Sequence, residues 1–302
     1  MANSADPSLP SSPWLKAVPW VLRVVWVSLP FAAGPLFAGA LDATSTPVMR
    51  TASIGLWGLW VVGVACTAVP HPITLTAFRI LAPASLAGAI WAAVAEGASA
   101  AAAFGLSATA AVTMLSLLPE VGAWFANGSS YGDERRVPLR PPGPLLLGPL
   151  PIAWALVVAG VVAGPMLLAA EQWIAGSAAL VVGLPVAFFM VRALHALARR
   201  WLVFVPAGVV VHDHLTVADP VLFKRNAVAH LGPALADTDA TDLTMGALGL
   251  ALEIAVERPV TVAVRSGRAP TSETVELTAL LVSVSRPGDV LGEARRRRIA
   301  VG

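Results

Sequence analysis

The sequence predicts an α-helical membrane bundle of six transmembrane helices followed by a small antiparallel β domain with a C-terminal helix. Three observations predict it. The chain is 57% hydrophobic and only 13% charged, against about a quarter charged in an ordinary soluble domain, and most of that charge lies after Arg199. Before that point the gaps between ionisable residues are long enough for bilayer-spanning helices of roughly 20 apolar residues. Beyond it, apolar and polar residues alternate, the period of a half-buried strand.

Three parts follow: a disordered segment over 1–16, a transmembrane domain over 17–199 with a cytoplasmic loop over 127–144, and a cytoplasmic β-rich domain over 200–302. The spans fall at 17–40, 53–69, 73–95, 98–118, 145–170 and 174–198. Pro19, Pro30 and Pro35 predict a kink in the first span. Ala38-Gly39-Ala40 has the small residues of a cleavage site, but the segment before the apolar run is too long and too weakly basic for a signal peptide. Pro70-His71-Pro72 and Glu96-Gly97 make tight connections, since proline cannot continue the preceding helix. Lys16, Arg23, Arg135, Arg136, Arg140, Arg199 and Arg200 fall on one side of the spans, and Arg50 falls alone on the other, with Asp42, Glu96 and Glu171. Cytoplasmic loops collect the arginines, so the chain is expected in the cell (inner) membrane as a multi-pass protein with both termini cytoplasmic.

Gly160 and Gly164 form a GxxxG, and Ala84, Gly88 and Ala92 repeat that spacing. Small residues let helix backbones approach closely in lipid. Packing within one chain is the first reading, and a homodimer through Gly160 and Gly164 is the alternative. Arg79 lies near the cytoplasmic end of the third span, and Arg192 and His195 share a face near the end of the sixth. No Asp or Glu sits at mid-span, which argues against an ion-coupled transporter. Cys66 is the single cysteine, so no intrachain disulfide or CxxC metal site exists in this sequence. It is read as a buried, inert thiol.

The loop over 127–144 mixes signs and prolines, which suits an extended chain rather than a helix. Over 131–151, and in Ser285-Arg286-Pro287-Gly288 before the terminal helix, the chain resembles uncharacterised multi-span membrane proteins of actinobacteria. The resemblance implies the general layout and brings no activity and no site residues.

In the tail, strands are predicted at 201–205, 209–213, 221–223, 227–231, 248–256, 260–265 and 275–284. The strongest is 248–256, where Leu248, Leu250, Leu252, Ile254 and Val256 alternate with smaller or charged residues and are expected to face the core. Arg258-Pro259 is read as the turn after it, and 237–244 as a loop. Asp289 is the expected N-cap of the closing helix, with Arg295, Arg296, Arg297 and Arg298 complementing its C-terminal dipole. By element order, this part resembles a pleckstrin-homology-like domain, which implies a binding or assembly module rather than an enzyme.

Candidate chemistry is sparse. His212 and His214 would share one face of a strand as a metal pair, with Asp219, His230 or His195 as a third ligand, though a polar strand end is the simpler reading. Asp237, Asp239 and Asp242 lack the spacing of a calcium loop. The phosphate-loop, dinucleotide, nucleophile-elbow and zincin patterns do not occur in the sequence, and no catalytic residue or cofactor is expected. A net charge of +2 does not suggest nucleic acid. Arg135, Arg136, Arg140, Arg192, Arg199, Arg200, Arg295, Arg296, Arg297 and Arg298 are the expected contacts for membrane lipids or a protein partner. The function expected is a non-enzymatic membrane protein with a cytoplasmic binding or assembly domain, an interaction or regulatory component of the cell envelope. The alternatives are a subunit of a transporter or envelope-lipid pathway holding a lipid between spans and, last, an enzyme on lipid-linked substrates.

Overall fold

The computed structural model describes residues 13–265 and 272–302. The chain divides into two compact units. One holds Val21–Tyr131 and Pro141–Arg200, and the other holds Gly132–Arg140 and Trp201–Gly302 with the chain before Val21. Most of the segment expected to be disordered, residues 1–12, lies outside the described residues, while residues 13–16 already belong to the first helix.

The helical unit has six stretches long and apolar enough to cross a membrane. The first is broken into α1 (Pro13–Ala32) and α2 (Gly34–Asp42). The break falls at Ala33, just before Pro35, whose ring clashes with a continuing helix. Then come α3 (Thr46–Ala68) and α4 (Pro72–Glu96), joined through His71. His71 caps α4: its ring accepts the Ile73 N–H (3.2 Å), and its own N–H donates to the Thr74 hydroxyl (3.0 Å). After α5 (Ala100–Leu117), a helix absent from the sequence reading, α6, covers Pro119–Asn127. One turn, α7 (Gly143–Leu146), precedes α8 (Pro149–Ala169) and α9 (Trp173–Ala198).

Polar side chains inside this unit serve backbone carbonyls. Trp26 and Trp60 exchange indole N–H bonds with each other's carbonyl, at 2.9 and 3.2 Å, clasping α1 to α3. Within α4, Pro83 has no N–H to offer the carbonyl four residues earlier; in that turn Trp154 Nε1 donates to the Ile80 carbonyl (3.1 Å), and Thr113 on α5 donates to the Ala82 carbonyl (3.0 Å).

Gly160 and Gly164 face α9 of the same chain. A Cβ at Gly160 would meet the Gly183 carbonyl, and one at Gly164 would meet Leu180. That seam is therefore filled within one chain rather than open to a second copy. Gly160→Val should force the two helices apart and lower the melting temperature in detergent, at about 1–3 kcal/mol. Gly58→Ala, with open space around it, should show no loss in the same measurement.

The second unit is a sheet domain. One sheet has the order β1-β2-β3-β4, from Arg135–Pro138, Trp201–Val205, Gly208–His212 and Val221–Lys224. The other has the order β5-β7-β8-β6, from Val228–Pro233, Leu252–Arg265, Ser272–Val282 and Thr241–Asp242. Both sheets share one core, including Leu202, Phe204, Phe223, Leu231, Leu252, Ile254, Leu277 and Leu280. The helix α10 (Pro287–Arg296) adds Val290 and Ala294 to it.

Four expectations need correction. The loop over 127–144 contributes β1, an edge strand on β2; an edge position tolerates Pro138. The stretch over 237–244 is not all loop, because Thr241 and Asp242 pair in parallel with β8, so the second sheet is mixed rather than purely antiparallel. Arg258-Pro259 does not end a strand: β7 runs through it with a register shift between Ala255 and Val260. Bulges accommodate proline where a ladder hydrogen bond is lost. The alternation from Leu248 is only half realised. Leu252, Ile254 and Val256 are buried, but Leu248 and Leu250 precede the strand and are exposed.

Candidate functional site

The charged centre of the sheet domain is built on α10 and β1. Helical spacing places Glu293 one turn before Arg296 and Arg297, where side chains three and four apart meet. Glu293 is 6% exposed and takes Arg297 Nε at 2.6 Å and Arg296 Nη2 at 2.5 Å. Arg135 on β1 reaches it at 3.8 Å and Asp289 at 3.9 Å. Asp289 sits in the first helical turn, paired with Arg286 at 3.1 Å; the N-cap itself is Arg286, not Asp289. Arg297 also donates to the Asp133 carbonyl. Burial alone raises the Glu293 carboxyl, but hydrogen bonds from Arg297 and Arg296, with the charges of Arg296 and Arg135, outweigh it and hold the group below the usual carboxylate range.

The helix then stops in a Schellman turn. Ile299 N–H donates to the Ala294 carbonyl (2.9 Å) and Arg298 N–H to that of Arg295 (3.0 Å). Arg298 takes the left-handed position at φ 56°, and Ile299 turns into the core, the arrangement that ends helices of this kind. Arg295 and Arg298 are left exposed. Four arginines (Arg135, Arg286, Arg296 and Arg297) thus meet two carboxylates, and the surplus positive charge faces outward. Chemically the arrangement can hold anionic groups.

The other expected contacts have partners of their own. Arg136 pairs with Glu134 at 2.8 Å and stacks 4.9 Å over the Trp201 ring, which in turn stacks on His212 with centroids 5.4 Å apart. Arg140 donates to the carbonyls of Val284 (3.0 Å) and Leu248 (2.6 Å). Arg192, Arg199 and Arg200 belong to the helical unit. Arg192 lies over Phe188 at 5.7 Å, Arg199 caps α9, and Arg200 is buried.

His212 and His214 do not share a strand face. β3 ends at His212, and Asp213 turns the chain by accepting the Leu215 N–H (3.1 Å). Among the described residues, no group of three or more His, Cys, Asp or Glu is placed to hold a metal ion.

In the helical unit two arginines close helix ends. Arg23 donates to the Thr67 carbonyl through Nε (2.9 Å) and Nη2 (2.6 Å) and lies 4.8 Å over Trp124. Arg79 donates to the Ser116 carbonyl at 3.1 Å. Cations at helix C-termini offset the dipole. His195 bonds Thr76 at 2.9 Å. The sequence reading did not single out Glu293, Trp201 or the roles of Arg23 and Arg79. Only Glu293 carried a visible signal, its spacing from Arg296 and Arg297.

Comparison with protein families, with curated proteins and with solved structures finds no match for this chain.

Proposed function

We propose that the chain is an integral protein of the cell membrane, with six spans and both termini cytoplasmic. Its sheet domain is a non-enzymatic binding or assembly module of the cell envelope, akin to pleckstrin-homology-like domains in element order. The membrane part rests on the apolar helix surfaces, where Phe31, Val94 and Ile174 are more than 80% exposed. Such exposure is unfavourable in water and ordinary in lipid. The observation that carries the binding role is the surplus of arginine over carboxylate on α10 and β1, which suits an acidic segment of a protein partner.

Two measurements test this reading. In a Cys66→Ala background, a cysteine at Glu171 should react with an impermeant reagent in intact cells, and one at Glu257 only after lysis. The reverse pattern would overturn the topology. Full-length protein purified from its native membrane should bring a stoichiometric protein partner. Arg295→Gln with Arg298→Gln, or raised salt, should release it; an unchanged complex, or no partner, counts against the binding surface.

A further inference from the structure

The segment between β6 and β7 turns apolar side chains outward. Leu248 is 68% exposed, and Leu250 and Met245 are exposed as well. Leu235, 72% exposed, belongs to the neighbouring segment, which the Ala234 N–H ties to the Ala251 carbonyl (3.0 Å). Leu243 and Leu252 on either side are buried in the core. Fully burying a leucine or methionine is worth about 1.5–3 kcal/mol, and here three leucines and a methionine forgo part of it, which points to a partner surface rather than to chance.

This segment has a defined shape. Asp242 accepts the Thr244 N–H (2.7 Å), Thr244 accepts the Ala247 N–H (3.1 Å), and the Leu248 carbonyl takes Arg140 Nη1 (2.6 Å). Gly249 adopts φ 102°, and a Cβ there would collide with the Arg140 guanidinium. Arg140 is also the last residue before the chain leaves the sheet domain. Three residues on, at Gly143, an apolar stretch begins that runs to Ala169. Three residues of extended chain reach roughly 11 Å, more than the roughly 5–7 Å of one headgroup layer, so the tether is short enough to hold this segment at the membrane surface.

We infer that Leu235, Met245, Leu248 and Leu250 form an apolar tip that enters the headgroup layer of the membrane holding the chain, with Arg140 supplying positive charge toward lipid phosphate. The inference rests on the membrane reading above. Its occupant is lipid: the chain tethers this tip to the start of an apolar helix, and at its base Arg140 holds the Leu248 carbonyl while the Asp242 carboxylate is engaged by the Thr244 N–H.

The test uses the full chain in liposomes of phosphatidylcholine and phosphatidylglycerol. The single cysteine is removed as Cys66→Ala, and one spin-labelled cysteine is placed at Leu248 or Leu250, with Phe188 and Glu257 as references. Labels at 248 and 250 should collide several-fold more with oxygen than with a nickel chelate, as at 188, while 257 shows the opposite. If 248 and 250 behave like 257 while 188 remains in lipid, the tip is in water and the inference fails alone. If they are shielded from both reagents, protein covers the tip and the inference is overturned. If 188 itself is open to the chelate, the membrane reading falls too.

Discussion

Leu252→Asp is expected to unfold the sheet domain. Leu252 begins β7, is fully buried, and pairs with Pro233 on β5 and Val282 on β8. A carboxylate there has no partner and loses its water, a cost of several kcal/mol. Leu252→Ala should cost about 2–5 kcal/mol. Measured in detergent, with no bilayer for the tip to enter, Leu248→Ser, four residues earlier, should change stability by about 0.5 kcal/mol or less, because that side chain lies outside the core. Hydrogen exchange at the β7 and β8 amides of the full-length protein reads all three. Equal effects at 248 and 252 would refute the register.

Removing the carboxylate at Glu293 should have the next largest effect. Glu293→Leu leaves Arg297 and Arg296 beside an apolar group where each held a short ion pair. Loss of one partner of a fully buried pair costs about 3–5 kcal/mol. Here about 2 kcal/mol is expected, because Arg296 and Arg135 keep 65% and 44% of their side chains in water. The pH dependence has a definite sign. A glutamate whose folded pKa is depressed contributes stability that is present above its unfolded value, about 4.3, and lost as pH falls through the folded value. The stability gap between the native protein and Glu293→Gln should therefore be widest near neutral pH and shrink below about pH 4. A gap that stays constant down to acid would show that the charge of Glu293 does not support the fold.

The helices were legible because apolar run length reports them directly. The strands at Trp201–Val205 and Gly208–His212 were legible because Val, Phe and Trp flank a turn with Gly208 at φ 156°. What escaped depends on distant residues. β1 consists of only Arg135, Arg136, Val137 and Pro138, a run with no strand pattern of its own; its pairing with β2 makes it a strand. Leu248 and Leu250 match the strand period as well as Leu252 does, and periodicity cannot tell which end of a run leaves the sheet. The arginines of the candidate site were visible as a basic run. Their organisation was not, because its centre is a single buried carboxylate, and Arg135 arrives there from a different part of the sequence.

Because β1 precedes α8 and β2 follows α9, the sheet domain has a fixed order of manufacture. When Arg135–Pro138 leaves the ribosome, the strand it must pair with has not been synthesised, and two long apolar helices come first. At about 5–20 residues per second, the strand waits several seconds with its backbone groups unmatched. A fragment starting at Trp201 would meet the opposite problem: β2 would present the open edge that β1 normally covers, a template for aggregation. The sheet domain is thus a product of chain on both sides of α8 and α9, and its completion reports that those two apolar helices have been made.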